Sequence, residues 1–355
     1  MYKGPLVLAI NPGSTSTKFA VYQEESLLFS ETIRHNDEVN SFPSIAAQKQ
    51  YRKEAIEEGL KKHEIRIEQL AAIVGRGGFL RALSSGTYEI NNQMIEDLEN
   101  AKFGEHASNL GAIIAYELAK PYQIPSFIVD PIVVDELNEL ARFSGIPEIE
   151  RKSHVHALNI KAVIRKVTKQ LGKKHDEMNF VVGHLGGGIS IVASKEGKLI
   201  DVNNANNEGP FSPERAGGLP AHQLVKLCYS AKYTEKEMLA RLTKTGGIYA
   251  YLGTKDALEA EERMLAGDQQ AKKVFDAMIY QIGKEIGAMA VVLDGKVDGV
   301  ILTGGLSYSE YIVSEIIRKV KFIAPVYVVP GEEELESLAL GALRVINGEE
   351  QANIY

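Results

Sequence analysis

Leu6-Val7-Leu8-Ala9-Ile10 is an unbroken apolar run, the pattern of a strand buried on both faces. A small polar turn follows, Asn11-Pro12-Gly13-Ser14-Thr15-Ser16-Thr17-Lys18, and Phe19-Ala20-Val21-Tyr22 returns as a second strand. The layout recurs later. Phe180-Val181-Val182 runs through Gly183-His184-Leu185 into Gly186-Gly187-Gly188, and Ile189-Ser190-Ile191-Val192-Ala193 comes back. Each unit is predicted to be a β-hairpin with a Gly/Ser/Thr-rich tip near the start of one half of the chain. A duplicated chain of this kind is expected to set its two tips opposite one another across a cleft.

Elsewhere the pattern alternates between strand and helix. Ala71–Val74 reads as a strand ending at Gly75-Arg76-Gly77-Gly78, and Ser126–Val129 as one ending on Asp130-Pro131. Residues 105–119 carry apolar positions at helical spacing, Leu110, Ile113, Ile114 and Leu118, and 155–171 reads as a long helix. Further helices are predicted near 221–230, 234–244, 256–265 and 270–293. A strand at Val297–Thr303 precedes Gly304-Gly305, a helix at Glu310–Lys319, a strand at Val326–Val329 and a closing helix at Leu335–Ile346. This alternation implies an α/β protein with mostly parallel sheets covered on both faces. The expected division is residues 1–153 and 154–355, since the second hairpin begins soon after 150.

The 355 residues, 45% of them hydrophobic, suffice for two domains with cores of their own. Net charge is −7, and Lys and Arg are scattered where a nucleic-acid binder would gather them in a stripe. Cys228 is the only cysteine, so no intrachain disulfide forms; its flanks read as an amphipathic helix that buries it. The N-terminus lacks a signal-peptide layout. The best apolar run, Ile286–Leu293, ends at Asp294, short of the roughly 18 residues of a membrane span. A soluble, cytoplasmic protein is expected.

Gly-rich turns let backbone N–H groups approach phosphate oxygens, and in Asn11–Lys18 four hydroxyls and a lysine add donors and charge. An ordinary hairpin uses the same residue types, but the twin at 183–190 tells against that reading. Thr303-Gly304-Gly305-Leu306-Ser307 lies at the C-terminal end of a strand, where open α/β sheets bind ligands. There is no Gly-x₄-Gly-Lys-Ser/Thr, no dinucleotide fingerprint, no Gly-x-Ser-x-Gly elbow and no His-Glu-x-x-His.

Asn11–Lys18, His184–Ser190 and Thr303–Leu306 resemble the two phosphate loops and the adenosine loop of the acetate and sugar kinase/heat-shock/actin superfamily. Val74–Gly78, Asp130-Pro131, His156–Asn159, Pro213–Gly218 and Pro330–Glu332 are similar to the butyrate kinases, short- and branched-chain fatty acid kinases related to acetate kinase. The resemblance runs from about residue 6 to 347. It implies two actin-like, ribonuclease H-like domains with mixed sheets flanked by helices and a nucleotide cleft between them. It implies ATP and Mg²⁺ as cofactors and phosphorylation of a carboxylate to an acyl phosphate. Partners are the acid, ATP and ADP, with no nucleic acid or membrane, in a homodimer or larger homo-oligomer.

By the same resemblance Arg76 and Arg215 stand at the transferring phosphoryl group and His156 with them. Asp130 lies on the acid side, orienting either the acid or the metal's water shell. Asn11, Ser14, Ser16 and Lys18 attend the nucleotide from the first loop, His184, Gly186, Gly187 and Gly188 from the second, and Gly304 and Gly305 at the adenosine. Asn11 faces the metal, with Glu334 from the acidic run at 332–336. The chain departs from acetate kinases in a shorter stretch after Val74, in Gly187 where they carry asparagine, and in Leu306-Ser307-Tyr308 after the glycine pair. These departures favour a larger acyl pocket. Two further readings are a sugar kinase, which needs an aspartate base, and an actin-like or chaperone-like ATPase, for which 355 residues leave little room.

Overall fold

The computed structural model describes residues 4–35, 39 and 41–355. In chain order the strands are β1 (Leu6–Pro12), β2 (Ser16–Gln23), β3 (Ser26–Arg34), β4 (Leu70–Gly75), β5 (Thr87–Glu89) and β6 (Ser126–Val129). Then come β7 (Asn179–Leu185), β8 (Ile189–Lys195), β9 (Lys198–Val202), β10 (Gly299–Gly304), β11 (Val326–Pro330) and the short β12 (Asn353–Ile354). The chain divides into two compact units. One is Met1–Asp135 with Ala157–Asn159 and Glu333–Tyr355; the other is Glu136–His156 with Ile160–Glu332.

The first unit holds a seven-stranded sheet in the order β12-β5-β6-β4-β1-β2-β3. β1, β2 and β3 form an antiparallel meander, while β4 and β6 continue parallel to β1. The second unit holds a five-stranded sheet, β11-β10-β7-β8-β9. Its meander is again antiparallel, and β10 and β11 run parallel to β7. The order 3-2-1-4-6 in one unit thus answers 9-8-7-10-11 in the other, so the repeat read from the two hairpins is a repeat of sheet topology. The mixed sheets implied by the resemblance are the ones observed, whereas the mostly parallel sheets read from the alternation are not, because the hairpin strands and β5 pair antiparallel.

Helix α3 (Asn109–Ala119) flanks the parallel part of the first sheet, and α1 (Lys49–Lys62) lies by β2 and β3, where Gly59 meets Phe19 and Lys62 pairs with Glu31; α2 (Asn92–Glu99) falls between them in sequence. Strand alternation sends Leu6, Leu8 and Ile10 to one face, where Ile56, Leu60, Ile113 and Ile114 pack. Val7 and Ala9 face the other way, with Ala20, Ala72 and Val74. These small residues admit the last helix at close range, which lays Leu338, Ala339, Ala342 and Leu343 on them. This contact changes the expected division. The closing helix Glu334–Ile346 and β12 belong with the first sheet, because the helix packs on its second apolar face and β12 pairs with β5.

In the second unit the helices are α4 (Ala157–Gln170), α5 (Ala221–Cys228), α6 (Glu235–Thr243), α7 (Gly247–Leu252), α8 (Ala257–Leu265), α9 (Gln269–Val292) and α10 (Glu310–Val320). The closing helix, which belongs to the first unit, is α11 (Glu334–Ile346). The core is α9, whose Phe275, Met278, Ile282 and Ile286 are buried with Val181, Leu185, Ile191 and Leu302 of the sheet. Side chains cap these helices where the sequence supplies them: Asp256 for α8, Asp268 for α9 and Ser309 for α10. Cys228 is exposed, contrary to expectation, because α5 buries none of its residues and Val225 beside it is 54% exposed. Among the described residues no helix is long and apolar enough to cross a membrane.

Candidate active site

In the first hairpin Asn11 pairs with Lys18 and Pro12 with Thr17, leaving residues 13–16 as the tip. Gly13 N–H donates to the Ser16 carbonyl at 2.7 Å, which closes it. Ser14 and Lys18 are exposed and Ser16 is half-buried, so all three expected nucleotide contacts lie at the surface of this end of the sheet.

Arg76 follows β4, and its N–H donates to the Ile10 carbonyl at 2.9 Å, which sets it beside the strand carrying Asn11. Glu334 opens α11 and receives both side chains: Arg76 Nη1 donates to Oε1 and Asn11 Nδ2 to Oε2. Asn11, Arg76 and Glu334 are therefore one cluster. Of the acidic run, Glu334 is the member that meets Asn11. Glu336 and Glu333 face Tyr22 instead; burial foremost, and then their charges, push its phenol up to about 12.

Gly77 lies against Pro131, which brings Asp130 to the same neighbourhood. Asp130 is 2% exposed and sits in the left-handed region at φ 39°. Its Oδ1 accepts from Gly86 N–H at 2.7 Å, so one carboxylate oxygen is committed to backbone. His106 was not foreseen. Its Nδ1 accepts from Ser108 N–H at 3.2 Å, and burial, with the nearby Arg76 charge, lowers its pKa and favours the neutral ring.

The second hairpin pairs Leu185 with Ile189 and leaves three glycines as its tip. Gly186 N–H donates to the Gly188 carbonyl at 3.1 Å. A Cβ on Gly188 would meet Arg215 Nη1 at 2.5 Å, so glycine here makes room for the guanidinium. Ser212, another residue not foreseen, ties the two together: its Oγ donates to the Gly187 carbonyl at 2.5 Å and accepts from Arg215 N–H at 3.1 Å. Burial lowers the Arg215 pKa, and its Nε has no hydrogen-bond partner among the described residues.

His184, 1% exposed, contacts Glu332 at 2.9 Å and stacks on His156 with ring centroids 4.0 Å apart. His156 Nδ1 lies 3.3 Å from Ser190 Oγ. The expected helix at 155–171 begins at Ala157, so His156 occupies the N-cap position. Gly304 adopts φ 87°, and a Cβ there would strike the Leu185 backbone, which seats the Thr303–Leu306 loop against the glycine hairpin. Gly305 is exposed with open space at its Cβ position.

Among the described residues no group of three or more His, Cys, Asp or Glu stands ready for a metal ion. What the first unit offers is Asn11 and Glu334, one amide and one carboxylate in contact. That donor set fits an ion that keeps most of its shell as water and phosphate oxygen, the habit of Mg²⁺.

The acetokinase family matches residues 148–349. A curated relative, butyrate kinase 2 of Clostridium acetobutylicum, is 50% identical over 351 residues, 98% of this chain and 99% of that protein. Among solved structures, acetate kinase of Porphyromonas gingivalis aligns over 97% of this chain and 100% of its own, with TM-score 0.78 and 19% identity. A propionate kinase of Francisella tularensis subsp. tularensis aligns over 95% and 98%, with TM-score 0.75 and 18% identity. Likeness at that identity speaks for the fold, while the curated relative and the family match speak for kinship: this chain belongs to the acetokinase family.

Proposed function

We propose that this chain transfers the γ-phosphoryl group of ATP to the carboxylate of a short-chain fatty acid, butanoate or a branched analogue, giving an acyl phosphate and ADP. The observation that carries the reading is Arg215, a half-buried side chain whose buried Nε has no hydrogen-bond partner among the described residues, set against a tip of three glycines. A buried donor nitrogen on a cation is costly to leave unsatisfied, and an anion at the tip would satisfy it.

The chemistry asks little of a base. A carboxylic acid has a pKa near that of Glu, about 4.3, so at pH 7 the nucleophile is already ionised. Its oxygen forms the new bond to the γ-phosphorus, the bond to the bridging oxygen breaks, and ADP leaves with the electron pair. No proton moves. The barrier is repulsion between anions and the need for in-line geometry, which planar guanidinium forks relieve by holding phosphoryl oxygens. We assign that task to Arg76, Arg215 and His156. Ser14, Ser16 and Lys18, together with His184, Gly186, Gly187 and Gly188, serve the phosphates, and Gly304 and Gly305 the adenosine. Asp130, one of whose carboxylate oxygens is held by the Gly86 N–H, orients either the acid or the metal's water shell. Asn11 and Glu334 would hold Mg²⁺, which supplies charge neutralisation. The reaction is reversible and makes ATP from acyl phosphate. The reading includes a cytoplasmic location and a homodimer or larger homo-oligomer.

The test is hydroxylamine trapping with ATP, Mg²⁺ and a series of acids from acetate to valerate, including isobutyrate. Acyl phosphates give hydroxamates, and the yield is expected to peak at four carbons. No hydroxamate with any acid, together with phosphorylation of a sugar hydroxyl, would replace the reading with that of a sugar kinase.

A further inference from the structure

Arg52 lies on α1 and is 0% exposed, and it was not among the residues singled out in the sequence. Its guanidinium reaches the first hairpin tip. Nη1 donates to the Gly13 carbonyl at 2.8 Å, to the Ser16 carbonyl at 3.1 Å and to Thr17 Oγ1 at 3.1 Å; Nη2 donates to the Ser14 carbonyl at 3.2 Å. Nε and Nη2 are both anchored on Gln48 Oε1, at 3.0 and 2.8 Å, and Gln48 is itself tied to the Val39 carbonyl. Every one of these partners is neutral.

Two consequences follow from that geometry. Three carbonyls of the tip turn inward to one cation, so their negative ends are withdrawn from the side where Ser14 and Thr15 are exposed. Among the described residues no carboxylate bonds to this guanidinium, and in a buried setting its charge acts strongly on an anion at the tip. Thr17 Oγ1 is also held by His35 Nε2 at 2.7 Å, so the tip is fixed from two sides.

We propose that Arg52 is a positioning residue for the phosphate-binding tip at 13–17, shaping it from below and lending it charge without touching the nucleotide. This rests on the reading of that tip as a phosphate loop. The test uses the full-length chain with Arg52→Gln and Arg52→Lys, measuring the Kd for Mg·ADP, the KM values for ATP and butyrate, and far-UV circular dichroism. Arg52→Gln is expected to weaken nucleotide binding and raise the KM for ATP by about tenfold or more, while the KM for butyrate stays within about twofold. Arg52→Lys, which keeps the charge and loses the fork, recovers part of the loss. If Arg52→Gln does not fold, Gln48→Leu, which frees the anchor, is read in its place with the same expectation. A folded variant with unchanged nucleotide affinity, or with both KM values raised in parallel, overturns the proposal. Ser14→Ala and Lys18→Ala separate the two levels. If they leave nucleotide affinity intact, the phosphate-loop reading fails; if they weaken it while the Arg52 variants do not, only the positioning role fails.

Discussion

Gly188→Ala isolates the position of the Arg215 guanidinium from its presence. Gly188 is outside the left-handed region, so alanine is no strain on the backbone. The new methyl would lie 2.5 Å from Nη1, 2.7 Å from Cζ and 3.2 Å from Nε. Ordinary contacts of this kind lie near 3.5 Å, so the guanidinium must retreat by about 1 Å. The atom that yields is the far end of a flexible side chain, so the fold loses little, and the melting temperature is expected to fall by only a few degrees. A displacement of about 1 Å at a group that stabilises the transition state costs on the order of 100-fold, or about 2.7 kcal/mol. The assay is kcat/KM for butyrate phosphorylation at saturating ATP, with hydroxamate as readout, beside Arg215→Ala and the double variant. Once the guanidinium is gone the methyl has nothing left to displace, so the double variant should match Arg215→Ala. A Gly188→Ala enzyme within about threefold of wild type, next to an inactive Arg215→Ala, would show that the location of the charge is immaterial and refute the argument.

Arg76→Ala is expected to lower kcat by orders of magnitude while equilibrium titration still shows nucleotide binding; near-wild-type turnover would remove its assigned role. Chelation with EDTA should abolish turnover and added Mg²⁺ restore it, and Glu334→Gln should raise the Mg²⁺ concentration for half-maximal rate, because it removes the carboxylate that meets Asn11. His35 bears on acid stability: burial, and secondarily the Arg52 charge, lower its pKa from 6.5 to about 4. Between those values the unfolded chain binds a proton that the folded one refuses, so stability falls as pH drops through that window, by up to about 3 kcal/mol. Urea denaturation of wild type and His35→Gln at pH 7.5 and 5 checks this, the variant losing less on acidification.

The hairpins, the glycine tips and the later helices were legible because each carries a strong local signal. Periodicity placed the helix now seen at Gln269–Val292 to within a residue. The helix Lys49–Lys62 carries no such signal: its residues are mostly polar, and its buried stripe is Arg52, Ile56, Gly59 and Leu60, a charge and a glycine among two apolar residues. An arginine at i, i+4 and i+8 spacing with Ile56 and Leu60 was the available clue. The allegiance of the last helix was illegible for another reason. Its apolar face fits either sheet by pattern alone, and only the small residues Ala9, Ala20 and Ala72 decide which. Ser212 and His106 were hidden because each acts through a neighbour, the Gly187 carbonyl and the Arg76 charge, and such neighbours are set by tertiary packing.

The return of α11 to the first sheet also bears on how the protein is made. While the ribosome is synthesising residues 160–332, the face bearing Val7, Ala9, Ala20 and Val74 waits for a helix not yet translated. The unit begun first is therefore the one completed last, and a nascent chain stalled before Glu334 carries a bare apolar surface of the sort that chaperones bind.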